Sequence, residues 1–269
     1  VTGEKPLEWV KAQNARTEAE ITTTQGFKQL EAGILKMLDS DAKIPGVQKI
    51  GDYYYNFWKD KNHERGIWRR TTLAEYRKAQ PKWETILDLD ALNKAEGENW
   101  VWHGANCLRP EYTRCLVALS RGGADANVTR EFDLGTRQWV KDGFFRAEAK
   151  GALGWKDADT VYAYTDFGPG SMTPSGYPRI VKEWKRGTPI SDARVVYEGT
   201  NEDMYIAAFH DDTPGFERDF VSRTIAFYNN ELYLRGAEGK LSEIVVPSSG
   251  SMGVGREWLT LELRGPWEV

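Results

Sequence analysis

The sequence predicts an all-β protein: a β-propeller of about four blades plus the start of a fifth, an incomplete ring, preceded by a short N-terminal α-helical segment. Three observations predict it. Short β-rich runs alternate with turn residues throughout most of the chain. The runs group in fours, and loop positions recur in phase about every fifty residues. Aromatic residues make up 12% of the 269 residues, with eleven tryptophans, and 26 glycines accompany them, which suits many short strands joined by turns. A four-stranded blade cannot bury both faces alone, so such a chain must repeat it and close a ring. A large β-sandwich has similar strand spacing and is the competing architecture.

The helical segment covers residues 1–43. "KPLEWVKAQNARTEAEIT" has a proline suited to a first helical turn, good helix formers and no glycine. In "GFKQLEAGILKMLDS", Phe27, Leu30, Ile34 and Leu38 recur at helical spacing and form one apolar stripe that must pack against something.

After Ile44-Pro45 the period becomes strand-like, and residues 44–269 are read as the partial propeller. Blade one, roughly 44–92, holds "GVQKIGDYYYNFWKD" with a Gly-Asp turn, "RGIWRRTTL" and "KWETILDL". Blade two, roughly 98–142, is "NWVWHGA", "RCLVALS", "NVTREFDL" and "RQWV". Blade three, roughly 150–199, is "GALGW", "TVYAYTD", "YPRIVKEWK" and "ARVVYEG". Blade four, roughly 203–248, is "MYIAAFH", "FVSRTIAFYN", "ELYLRG" and "LSEIVVP", and "EWLTLELRGPW" opens an incomplete fifth at 256–269.

Composition narrows the function. The net charge of −4 is spread along the chain, without basic blocks interleaved with aromatics, so nucleic acid is excluded as a partner. No apolar run approaches the length of a membrane-spanning helix, so a soluble chain is expected. The chain begins at Val1 with no signal peptide visible, which leaves cytoplasm and export both open. Cys107 and Cys115 flank "LRPEYTR"; a hairpin there would bring the thiols face to face, and a disulfide would favour export. Two ordinary reduced cysteines are the alternative, since spacing alone does not fix pairing.

Motifs for chemistry are sparse. Ser171 in "GPGSMTPSG" and Ser251 in "SSGSMGVG" both miss the G-x-S-x-G pattern of a nucleophile elbow and are read as loop serines. His63, His103 and His210 fall in three different units, without metal-ligand spacing, and no metal site is assigned. "HDDTPG" after a strand reads as a turn rather than a cation site. No phosphate-binding glycine loop is present, and no cofactor is expected. No convincing carboxylate pair for sugar hydrolysis can be named, although propellers can carry one on inner strands.

"LEWVKAQNART", "KIPGVQKIGDYYYNFW", "GIWRRTTLAEY", "WETILDLDAL", "LVALSRGGADANVTREFDLGT" and "NELYLRGAEGKLSEIVVP" together resemble, in order and spacing, the N-terminal half of the prolyl oligopeptidase family of serine peptidases. The resemblance implies a propeller stacked on a C-terminal α/β-hydrolase domain of the same polypeptide, with the active site between them. It implies that the N-terminal helices pack on that catalytic domain and that short peptides are hydrolysed after proline, the propeller limiting access. The family's serine, aspartate and histidine follow the propeller, so this chain is expected to carry no catalytic residue and to be inactive alone. Inner strands near Gln48, Trp100 to Gly104 and Lys150 are expected to line the substrate channel. Trp102, His103 and Lys150 are the lining candidates; Lys150 lies in "EAKGALGW", which matches a family stretch close to bound peptide, and Trp102 has inter-blade packing as its competing role. A fragment of a ring leaves blade faces unpaired and is expected to self-associate. A free-standing propeller that binds a protein or a sugar, and a propeller glycosidase, are the alternative readings.

Overall fold

The computed structural model describes residues 3–40 and 42–268; the outer ends of the predicted segments, residues 1 and 269, lie outside them. Helix α1 (Glu4–Thr17) runs through a π-helical turn (Glu18–Thr22) towards α2 (Gln25–Leu38). Thr24 caps α2 by accepting the Phe27 N–H at 3.2 Å. Neither helix has a buried residue, and Phe27, Leu30, Ile34, Leu35 and Leu38 line an open apolar groove along α2.

Four antiparallel sheets follow, each taking its strands in chain order. The first holds β1 (Gln48–Ile50), β2 (Tyr53–Asp60), β3 (His63–Thr71) and, beyond the single-turn helix α3 (Leu73–Tyr76), β4 (Glu84–Asp88). Helix α4 (Leu89–Glu96) leads out of it: Asp88 caps the helix through the Ala91 N–H, and Gly97 closes it in the left-handed conformation. The second sheet holds β5 (Trp100–Cys107), β6 (Arg114–Arg121), β7 (Asn127–Asp133) and β8 (Gln138–Trp139), with β9 (Phe145–Ala149) also on β7. The third holds β10 (Ala152–Asp157), β11 (Thr160–Tyr164), β12 (Ile180–Lys185) and β13 (Arg194–Glu198). The fourth holds β14 (Tyr205–Asp211), β15 (Arg218–Ala226), β16 (Asn229–Arg235) and β17 (Leu241–Glu243). A hairpin of β18 (Ser251–Gly255) and β19 (Trp258–Glu262) ends the described chain.

The two-residue period of a strand explains why these sheets stack. On β6, Cys115, Val117 and Leu119 enter a core shared with the first sheet's Tyr55, Trp68 and Leu87. Leu116, between them, turns to the other face, into a core with Leu153, Trp155, Val161 and Trp184 of the third sheet. On β11, Val161 and Ala163 enter that second core, while Tyr162 points into a third with Ile206, Ala208 and Val221 of the fourth. Each middle sheet is thus buried on both faces, and its strands read as nearly continuous apolar runs. The fold is a β-propeller portion behind an N-terminal helical segment.

Two strand boundaries differ from the sequence reading, whereas Ser171 lies in a loop as expected. Strand β9 adds to the second sheet beyond the predicted blade end at 142; its inward residue is Arg146, so no apolar alternation marks it. The fifth unit opens at Ser251 rather than 256, because "SMGVG" is strand β18 and not a loop. Ser171 sits in a structured loop, 97% shielded from solvent, its hydroxyl 2.7 Å from the Gly168 carbonyl and accepting the Phe167 N–H at 2.8 Å. Cys107 and Cys115 face each other across β5 and β6 and form a disulfide.

Candidate functional site

The candidate site lies where β9 hands over to β10, beside the loops 122–126 and 165–179. Gly151 makes the handover possible. Its φ is +125°, and a Cβ there would stand 2.0 Å from the Tyr164 carbonyl oxygen, so only glycine fits. Lys150 is thereby turned toward the 165–179 loop, its ammonium 4.1 Å from the centre of the Tyr177 ring and 3.4 Å from the Ser175 carbonyl. Asp125, largely exposed, is its carboxylate neighbour at 3.6 Å.

The loop that carries Tyr177 is closed by its own hydrogen bonds. The Thr173 N–H reaches the Tyr177 carbonyl at 2.9 Å, the Arg179 N–H reaches the Ser171 carbonyl at 3.1 Å, and the Thr173 and Ser175 hydroxyls are 2.9 Å apart. Behind Tyr177 the rings of Tyr205 and Tyr164 continue edge to face, at 5.8 and 5.9 Å between centroids. Burial, then the neighbouring Tyr164 phenol, pushes the Tyr205 phenol up.

Arg146 anchors the floor of this row. Its guanidinium is wholly buried and faces no carboxylate; it donates to Asn127, to Thr129 Oγ1 at 3.1 Å and to the Ala149 carbonyl at 3.0 Å. Burial lowers it to about 10, against the opposing influence of the Tyr205 and Tyr164 phenols.

The three lining candidates do not meet in one cavity. Trp102 stacks on Phe57 of the first sheet at 5.1 Å and tilts against Trp68 at 5.2 Å, so it serves the seam between sheets one and two. It also borders a cleft of about 500 Å³ with Gln48, Asn56 and Gly104. His103 is exposed at a β-bulge, between the Trp102–Leu119 and Gly104–Ala118 pairs. His63 and His210 are tied to Asp60 and Asp219, each at 2.9 Å. Sequence reasoning missed Tyr177, Tyr205, Asp125 and Arg146; Gly151 before Ala152 and the glycine- and proline-rich loop "FGPGSMTPSG" were visible signals only for a close backbone approach. Among the described residues no serine hydroxyl hydrogen-bonds a histidine, and no cluster of His, Cys, Asp and Glu could hold a metal ion. The site thus gathers one cation, Lys150, and the aromatic row that begins at Tyr177. Among the described residues no helix is long and apolar enough to cross a membrane.

Comparison with known proteins agrees with this architecture. The family model described as the prolyl oligopeptidase N-terminal beta-propeller domain matches residues 2–216. An uncharacterized peptidase of Sinorhizobium fredii is 37% identical over 235 residues, 86% of this chain and 32% of its own length. One from Rickettsia prowazekii is 31% identical over 282 residues, 99% of this chain and 39% of that protein. The structure of a post-proline cleaving enzyme from Rickettsia typhi superimposes with a TM-score of 0.89 at 32% identity, covering 98% of this chain and 40% of that one. This chain therefore spans less than half the length of each of these relatives. It belongs to the prolyl oligopeptidase family of serine peptidases, as the N-terminal β-propeller part.

Proposed function

We propose that this chain is the propeller portion of a peptidase that hydrolyses short peptides after proline, and that it limits access to a catalytic site on a C-terminal α/β-hydrolase domain of the same polypeptide. The likeness to the post-proline cleaving enzyme, over nearly the whole chain at 32% identity, supports this reading most directly. In it, residues 1–43 form the segment that packs on the hydrolase domain, and the bare apolar stripe of α2 is the surface available for that packing. A histidine-activated serine on the hydrolase domain would attack the carbonyl of the proline, with backbone donors holding the oxyanion and the amine of the next residue leaving. The propeller contributes binding and exclusion. Lys150 and Tyr177 would hold a peptide carbonyl or carboxylate, with Asp125 yielding the ammonium to it. In this reading Trp102 and His103 are further lining candidates, Trp102 at its own cleft with Gln48. The closed Cys107–Cys115 bond supports an oxidising compartment.

The test joins this chain to its downstream hydrolase domain and compares peptides that differ only in proline or alanine before the scissile bond. Preference for proline of at least about tenfold, no digestion of a folded protein, and a changed KM in Lys150→Ala are expected. Equal cleavage of both peptides, or ready digestion of folded proteins, would overturn the reading.

A further inference from the structure

The tip of the β5–β6 hairpin, residues 108–113, reaches three other sheets. Tyr112, held at φ 51°, joins the first core and lies 3.6 Å from where a Gly51 side chain would stand in the β1–β2 turn. Leu108 is buried in the second core with Trp155 of the third sheet, whose indole N–H donates to the Asn106 carbonyl at 2.9 Å. Arg109 passes the third sheet altogether and pairs with Asp212, just after β14 of the fourth, at 3.0 Å. The Cys107–Cys115 disulfide closes the base of this hairpin.

Two cavities, of about 490 and about 250 Å³, are both lined by Arg109, His210 and Asp212. The first runs toward Met252 and the second toward Trp155, so the Arg109–Asp212 pair stands in their common wall. Its side chains are 47% and 37% exposed. An ion pair so exposed is weak when its partners move freely, because holding two long side chains together costs entropy. Here the hairpin carrying Arg109 is already fixed at its base.

We propose that Cys107–Cys115 is a thiol–disulfide exchange site that latches this wall. Cys115 is fully buried and Cys107 half-buried, so a dithiol would enter at Cys107. Its thiolate attacks Cys107 Sγ, the Cys115 sulfur leaves and takes up a proton, and the second thiol of the reductant then displaces Cys107 as a thiol. The chain gains two electrons and two protons, and the dithiol becomes a disulfide. The freed hairpin frays, Arg109 leaves Asp212, and the two cavities join. The chain is latched where thiols are oxidised and unlatched where they are reduced. This inference does not rest on the peptidase reading, since it concerns only contacts within the chain.

Amide hydrogen exchange on the 269-residue chain, with and without dithiothreitol and with thiols counted by a chromogenic disulfide reagent, tests it. Two thiols should appear under native conditions, and exchange should rise by about tenfold or more in both 108–113 and 209–213, while β7 stays protected. Cys107→Ser/Cys115→Ser should show the fast pattern without reductant and no response to it. Arg109→Ala should speed 209–213 with the disulfide intact. The latch is overturned if the bond resists reduction in the folded chain, if 209–213 does not respond once two thiols are counted, or if β7 loses protection equally. The reduced wild type supplies the answer even where the double variant fails to fold.

Discussion

Asp60 shows how one carboxylate organises a turn. It accepts the Asn62 N–H at 2.8 Å, the His63 N–H at 3.0 Å and the Trp58 indole N–H at 2.8 Å, and it meets His63 Nδ1 at 2.9 Å. Burial works to raise this carboxyl, but the donors outweigh it and hold it at about 2, from an ordinary 3.8. A lowered carboxyl contributes stability that is complete above 3.8 and is lost as pH falls through about 2. The urea midpoint should therefore drop across that interval, and Asp60→Asn should flatten the drop; identical profiles for the two proteins would contradict the assignment. At this scale the sequence was half legible. An Asp three residues before His63 in a tight turn is readable as a turn former, and the facing of Cys107 and Cys115 follows once a hairpin is drawn between them. Arg146 and the Tyr177–Tyr205–Tyr164 row were not readable, because their partners come from four separate segments that only the stacked sheets bring together.

Among the elements, the seams between sheets carry polar clamps as well as apolar cores. Glu131 on β7 is completely buried and is met by Arg186, just beyond β12, through two bonds at 2.8 and 3.0 Å, while the Arg186 guanidinium lies over Phe144 at 4.5 Å. Removing one partner strands a buried charge, so Arg186→Ala should cost about 3 kcal/mol of unfolding free energy, read from urea denaturation. Arg186→Lys, which keeps the charge but loses the two-pronged geometry, should cost less. A loss under about 1 kcal/mol in Arg186→Ala would show that Arg114, at 3.5 Å, is partner enough. The strands with alternating or continuous apolar runs were legible because burial on two faces writes itself into the pattern. Strand β9 was hidden because its buried residue is an arginine. Helix α4 was missed although Asp88 and Gly97 bracket it, since "LDLDAL" also suits the end of a strand.

For the whole molecule, repetition was the legible property and the connections between repeats were not. Exposed apolar side chains gather on the fourth sheet and the last hairpin, notably Phe227, Tyr228, Val245 and Trp258, and again along α2. Exposed apolar side chains in such numbers favour association. The 269-residue chain should therefore scatter light as a concentration-dependent oligomer, and Phe227→Ser/Trp258→Glu should shift it toward the monomer. A wild-type monomer at every concentration would refute this. The order of strands has a further consequence, for biosynthesis. Apart from β9, which returns past β8 to pair with β7, every sheet is assembled from neighbours in the order in which the ribosome releases them. Each blade can thus complete its pairing during translation and wait, with one face bare, for the next to emerge and cover it.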